Sequence, residues 1–301
     1  MNAQLVNLLA EKKVLLADGA MGTRLQAAGL KPGEAPEILN LTRPEIPCSI
    51  AAEYIDAGSD LVHTNSFGGS PLKLAAHGLA GRCEEINRAA AAAAVNGVAG
   101  RGLVSGSIGP CGRLLKPYGD VDPAEVLDGF RIQAAALVAG GVDLLTIETM
   151  TDLAEAVLAV KAAREALGHR AVLASLTFDP TPRGWFTIMG NDVAAAAGEL
   201  AAAGADAVGS NCGQGTEGML SVALDFGQVT DLPLLIQANA GLPVLEAGEV
   251  HYPETPADMA AHLPDLVNAG VKIIGGCCGT SPDHIVALRG ILDQLKAADK
   301  L

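Results

Sequence analysis

Short apolar runs and alanine-rich stretches with helical spacing take turns along almost the whole chain. The runs are four to seven residues long and rich in Val, Leu and Ile, so they read as buried strands rather than helices. Eight are found: Val14 to Ala17, Asp60 to Thr64, Gly102 to Ser107, Asp143 to Glu148, Ala171 to Thr177, Asp206 to Asn211, Pro233 to Ala238 and Lys272 to Gly276. Helical patterns follow them over Glu45 to Ala57, Glu84 to Val98, Pro123 to Ala139, Asp152 to Leu167, Val193 to Ala203, Gly215 to Val229, Pro256 to Ala269 and Pro282 to Ala298.

Local chemistry marks several of these boundaries. Asp122-Pro123 with Glu125 offers a cap, a proline at the first helical position and an acid for the helix dipole. Asp152 with Glu155 reads as a capping-box-like pair, and Ser281-Pro282 repeats the cap-plus-proline signal. Four helices run into glycine just before the next strand, at Gly58, Gly141, Gly204 and Gly270, where a left-handed residue can end a helix. Eight strand–helix units predict an α/β fold, a single (β/α)8 TIM barrel over residues 1–301, with an open doubly wound sheet as the alternative. No low-complexity linker, charge block or Pro/Ser-rich spacer divides the chain.

Composition narrows the partners. Half of the 301 residues are apolar, enough for one large core. Twenty Lys and Arg stand against 34 acids, a formal charge of −14, and no basic cluster interrupts them, which argues against nucleic acid. No run of eighteen apolar residues suggests a membrane span, and Met1 to Lys13 lacks the features of a secretory signal. A soluble cytoplasmic protein is expected. Six cysteines in so long a chain do not resemble a disulfide scaffold, so grouped thiols point to metal or catalysis.

In a parallel barrel the chemistry belongs at the carboxyl ends of the strands. Those ends carry Asp18-Gly19, His63-Thr64-Asn65-Ser66-Phe67, Gly106-Ser107, Glu148-Thr149, Asn211-Cys212, Gln237-Ala238-Asn239 and Cys277-Cys278. Barrel closure would bring Cys212, on the sixth strand, near Cys277 and Cys278, on the eighth. Three thiolates suit zinc and leave its fourth position for a substrate. Such a centre already carries net negative charge, which makes it poor at activating water and good at holding another thiolate. A free thiol is only about 3% ionised at neutral pH, so binding to zinc would generate the nucleophile. Alkyl transfer to a substrate thiol is therefore expected rather than hydrolysis. Cys48, Cys83 and Cys111 fall on helices or a loop and read as buried small hydrophobes.

The same residues carry a family resemblance. Asp18-Gly19-Ala20-Met21-Gly22-Thr23, Thr64-Asn65-Ser66-Phe67, Gly106-Ser107-Ile108-Gly109-Pro110, Ile147-Glu148-Thr149, Asn211-Cys212, Asn239-Ala240-Gly241-Leu242-Pro243 and Gly275 to Pro282 resemble the zinc-dependent homocysteine S-methyltransferases over essentially the whole chain. The resemblance implies zinc on Cys212, Cys277 and Cys278 and transfer of a methyl group to homocysteine to give methionine. It also implies that Asp18 and Glu148 hold the substrate ammonium, that Thr64 and the Gly19 N–H meet its carboxylate, and that Asn239 can approach the zinc. The residues also make sense without it, since an ammonium needs paired acceptors and the Gly19 turn exposes donors at a strand end; the alternative makes Asp18 and Glu148 helix caps or rim ion pairs and Asn239 a turn residue before Gly241.

The methyl donor is less constrained. Betaine would want an aromatic cage, yet only 3% of the chain is aromatic, and where betaine-using members carry aromatics this chain has Thr149 and Gly68, leaving Phe67 and Trp185. The motifs are most similar to the homocysteine module of cobalamin-dependent methionine synthase. Folate and cobalamin modules find no place in these residues, so methylcobalamin on a separate corrinoid protein is the expected donor, with S-methylmethionine or a related sulfonium as the alternative. The loops Asp179 to Asn191 and Ala240 to Thr255 could shape a docking surface or a lid. A non-catalytic zinc- or thiol-binding barrel would keep the cysteines without needing Asp18, Glu148 and Thr64 above them. A Schiff-base lyase is disfavoured because no lysine ends a strand.

Overall fold

The computed structural model describes residues 3–31, 33–246 and 249–301. All eight expected strands form: β1 (Leu15–Leu16), β2 (Leu61–His63), β3 (Leu103–Ile108), β4 (Leu144–Met150), β5 (Val172–Leu176), β6 (Ala207–Asn211), β7 (Leu234–Ala238) and β8 (Val271–Gly276). They make one parallel sheet in the order β1-β8-β7-β6-β5-β4-β3-β2. A parallel bridge between Ala17 and Leu61 joins its two ends, so the sheet closes into the TIM barrel.

Acids at the amino ends of the strands secure this closure. Asp60 donates its N–H to the Leu16 carbonyl (2.7 Å), while its carboxylate accepts from the Leu16 N–H (2.9 Å), Lys12 (2.7 Å) and Arg289 (2.7 Å). Burial opposes its charge, but the Leu16 N–H, Lys12 and Arg289 outweigh that and hold the carboxyl below its ordinary range. Asp143 and Asp206 repeat the device on the N–H groups of Val104 (2.8 Å) and Val172 (3.1 Å), and Arg164 pairs with Asp206. Each acid lies just past one of the helix-ending glycines, and Gly58, Gly141, Gly204 and Gly270 all have positive φ as expected.

Two apolar layers result. Leu16, Val62, Ile147, Val208 and Ile274 point outward against the helices, whereas Leu15, Leu61, Leu144, Leu173, Leu235 and Ile273 fill the lower barrel with Leu5. Leu5 belongs to a helix absent from the sequence reading, Ala3–Lys12, whose Leu8 and Leu9 also pack on that inner cluster and plug the barrel from below.

Several expectations are corrected. Pro256 to Ala269 is two short helices, Pro256–Ala261 and Leu263–Asn268, because Pro264 cannot continue the first helix's hydrogen bonding. Glu155 does not complete a capping box with Asp152; its carboxylate crosses to the Cys111 N–H (2.6 Å) and is buried there. Within the loops after β5 and β7 lie hairpins, Asp179–Thr181 with Gly184–Phe186 and Val244–Glu246 with Glu249–His251. Among the described residues no helix is long and apolar enough to cross a membrane.

Candidate active site

At the carboxyl end of the barrel the backbone ladder continues past the strands, and this places the thiols. The N–H of Cys212 donates to Gln237 O (3.1 Å) and that of Cys277 to Ala238 O (2.7 Å), so both cysteines are tied to β7, which lies between β6 and β8. Asn239 receives the Cys278 N–H on Oδ1 (3.1 Å), and the Ala240 N–H reaches Cys278 O (2.9 Å). The Sγ atoms of Cys212, Cys277 and Cys278 all lie within 4.8 Å of one another, and Cys212 and Cys278 are 3.9 Å apart.

That spacing fits zinc. Sulfurs about 2.3 Å from a tetrahedral ion sit about 3.8 Å from each other, whereas a disulfide needs about 2.05 Å. All three residues are free and half-buried. The sulfurs compete for one negative charge: hydrogen bonds from the Cys212 and Cys277 thiols pull Cys278 down to about 3, and contact with Cys212 and Cys278 pushes Cys277 well up. A divalent cation is what lets three such thiols ionise together.

Their support is rigid and strained. Cys212 and Thr149 both have positive φ, 61° and 57°, which non-glycine residues avoid and which collects at functional sites. Asn211 holds this geometry. Its Oδ1 accepts from the Thr149 N–H (2.7 Å) and Ser175 Oγ (2.8 Å), while its Nδ2 donates to Thr149 Oγ1 (2.7 Å) and faces Cys277 Sγ at 3.7 Å.

Beside the thiols lies a cavity of about 250 Å³. Of the sequence-predicted residues, Gly19, Thr64, Glu148, Cys212, Cys277 and Cys278 line it, while Asp18 and Asn239 stand behind the wall. Gly19 is confined by its surroundings, since a Cβ there would come within 2.6 Å of Thr280 Oγ1 and 2.9 Å of Tyr54 Oη. Glu148 takes a short hydrogen bond from Ser107 Oγ; burial raises its carboxyl, opposed by the charge of His63. Thr64 is less available than its position suggests. Ser66 Oγ donates to Ser107 O (2.7 Å), so the Thr64 proton goes to Ser66 (2.5 Å), and the Ser107 N–H donates back to Thr64 Oγ1 (3.0 Å).

The sequence reading gave no role to His63. It lies at the end of β2, lines the cavity and is only 6% exposed. Its backbone N–H donates to Asp18 Oδ2 (2.8 Å), and its Nδ1 lies 2.7 Å from Asp18 Oδ1. Burial of the ring disfavours its charge, but Asp18 and then Glu148 outweigh this and lift it to about 9. Tyr252 was also missed; it follows the second hairpin and packs where a side chain on Gly279 would stand. Phe67 is the one aromatic carbocycle among the described residues lining the cavity. Trp185 instead lies on the first hairpin, bonded to Ser221 Oγ (3.0 Å). The two do not form a cage.

Comparison with known proteins bears on the fold and the family. The methionine synthase of Mycobacterium tuberculosis is 31% identical over 99% of this chain, and that of Mycobacterium leprae 32% identical over 94%. The chain spans about a quarter of the length of these curated relatives, 26% and 24% respectively. The metallated form of the homocysteine methyltransferase MmuM from Escherichia coli superposes with a TM-score of 0.80 at 26% identity, covering 95% of this chain and 99% of that one. The sequence model described as homocysteine S-methyltransferase matches residues 15–292, nearly the full barrel, and the chain belongs to the homocysteine S-methyltransferase family.

Proposed function

We propose that this barrel transfers a methyl group to the thiol of homocysteine, producing methionine, with zinc held by Cys212, Cys277 and Cys278. The observation that carries this reading is the group of three sulfurs at a cavity that also presents Glu148 and His63. When bound, zinc would ionise the substrate thiol at neutral pH and leave the sulfur nucleophilic. The protein's own residues do the rest. Glu148, aimed by Ser107, accepts the substrate ammonium, and Asp18 contributes its charge from behind His63. The Gly19 N–H meets the carboxylate, Thr64 lines the cavity beside it with its hydroxyl proton held by Ser66, and Asn239 braces the Cys278 backbone beside the thiol site. In the reaction the substrate S–H and the donor–methyl bonds break and an S–CH3 bond forms, the thiol proton passing to solvent and the donor leaving with the electron pair of its bond.

A methyl-corrinoid carried on another module or protein is the donor this reading favours. The methionine synthase relatives are about four times longer than this chain, so most of each lies outside the matched region. The rim also offers an apolar approach at Leu242, Leu245 and Val250, all exposed around the second hairpin. The test is to incubate zinc-loaded protein and homocysteine with methylcobalamin, S-methylmethionine and betaine in separate reactions and follow methionine. Methionine from methylcobalamin supports the donor assignment. Methionine only from S-methylmethionine moves the chain to the sulfonium-using members, and none from any donor contradicts the activity.

A further inference from the structure

His63 is the one buried side chain at the cavity wall with a nitrogen that no part of the described protein satisfies. The ring and backbone N–H are both fastened to Asp18, whose carboxylate is 1% exposed and does not reach the cavity. Because Nδ1 faces Asp18, it carries a proton and donates it, as a ring nitrogen does toward a carboxylate. The ring lines the cavity, and its Nε2 is buried without a hydrogen-bond partner among the described residues. Asp18 and Glu148 both stabilise a proton on the ring, so at neutral pH Nε2 is an N–H donor on a cation.

A buried, charged donor with nothing to donate to is costly unless a ligand completes it. An ammonium would be repelled by it, whereas a carboxylate is its natural partner. The position agrees, because His63 stands between Thr64 and the Asp18–Gly19 turn, and the Thr64 hydroxyl proton is already committed to Ser66. We propose that His63 is a substrate-binding residue whose Nε2–H, aimed by Asp18, receives the α-carboxylate of the amino acid, while Glu148 takes its ammonium. This rests on the homocysteine reading of the site and divides the labour within it: Asp18 acts through His63 instead of touching the substrate.

Three thiols separate the possibilities: homocysteine, 4-mercaptobutyrate, which lacks the amino group, and 3-aminopropanethiol, which lacks the carboxylate. Their binding to zinc-loaded wild type, His63→Asn and His63→Gln is measured by calorimetry, with zinc content as the check on folding. Asn keeps a donor where Nδ1 stands but not the reach or charge of Nε2, and Gln keeps the reach without the charge. His63→Asn should weaken homocysteine and 4-mercaptobutyrate about tenfold or more, the range for a hydrogen bond between charged groups, and leave 3-aminopropanethiol unchanged. His63→Gln should restore part of the loss. Weakening confined to the two amine-bearing thiols would overturn the proposal, since Asp18 would then be contacting the ammonium. Equal loss of all three, or no change in any, would also overturn it. Wild type that binds zinc but none of the thiols would instead refute the homocysteine reading, and this inference with it.

Discussion

The two rims of this barrel treat charge in opposite ways. At the amino ends of the strands every featured acid is matched: Asp60 by the Leu16 N–H, Lys12 and Arg289, Asp143 by the Val104 N–H, and Asp206 by the Val172 N–H and Arg164. At the carboxyl ends the groups are left short of partners. Three thiols crowd within 4.8 Å, His63 Nε2 has no partner among the described residues, and Thr149 and Cys212 hold left-handed backbone. The lower rim closes the barrel; the upper rim stores unfavourable arrangements that a cation and a zwitterionic substrate would relieve. One fold can carry both because the lower plug and the outer helical layer supply the stability on which the upper rim draws.

Substitutions at the two rims should therefore have opposite signatures. The largest effect is expected from Cys212→Ala, Cys277→Ala or Cys278→Ala, each of which should abolish zinc retention and methionine formation together, as metal analysis and a product assay would show, while thermal stability of the metal-free protein changes little. Zinc retained in all three variants would erase the distinction between the rims. Asp60→Ala should do the reverse. It leaves Arg289 and the Leu16 N–H without their shared acceptor and should cost about 3 kcal/mol in chemical denaturation, with zinc content intact.

His63 ties the upper rim to pH. Its folded value lies near 9 against 6.5 for an unperturbed ring, so its contribution is fully present below pH 6.5 and is lost as pH rises through about 9. The shift corresponds to about 3 kcal/mol at most. Denaturation of wild type at pH 6.5 and 9 should show this loss, and His63→Asn should flatten it. A smaller effect is expected at Asn211, which does not line the cavity yet aligns Thr149 and Cys277. Asn211→Ala should weaken zinc about 10- to 100-fold in a chelator competition, the usual cost of losing a group that orients a ligand.

How much of this the sequence reveals depends on the range of the interaction. The strands, the helix-ending glycines and the rim cysteines are written in local patterns, and closure of the sheet then brings Cys212 to a pair 66 residues away. The plugging helix Ala3–Lys12 is amphipathic but precedes the first strand, outside the alternation that defined the other elements. Glu155 looked like a capping residue because it follows Asp152 by three; its partner, the Cys111 N–H, is 44 residues distant. His63 escaped notice for the same reason. Within its strand it is one polar residue after Leu61 and Val62, and only the Asp18 contact across 45 residues gives it a charge and a direction. Thr64 was legible as a rim residue, but the commitment of its proton to Ser66 required the positions of Ser66 and Ser107 together.

The most direct test of the account is the proton balance when homocysteine meets the zinc-loaded protein near neutral pH, read with a pH indicator in weak buffer alongside metal analysis. A free thiol is almost wholly protonated there, so capture of the substrate as its thiolate predicts release of close to one proton per zinc-containing site. Homocysteine that binds without releasing a proton, or release that persists after the zinc is removed, would contradict the account.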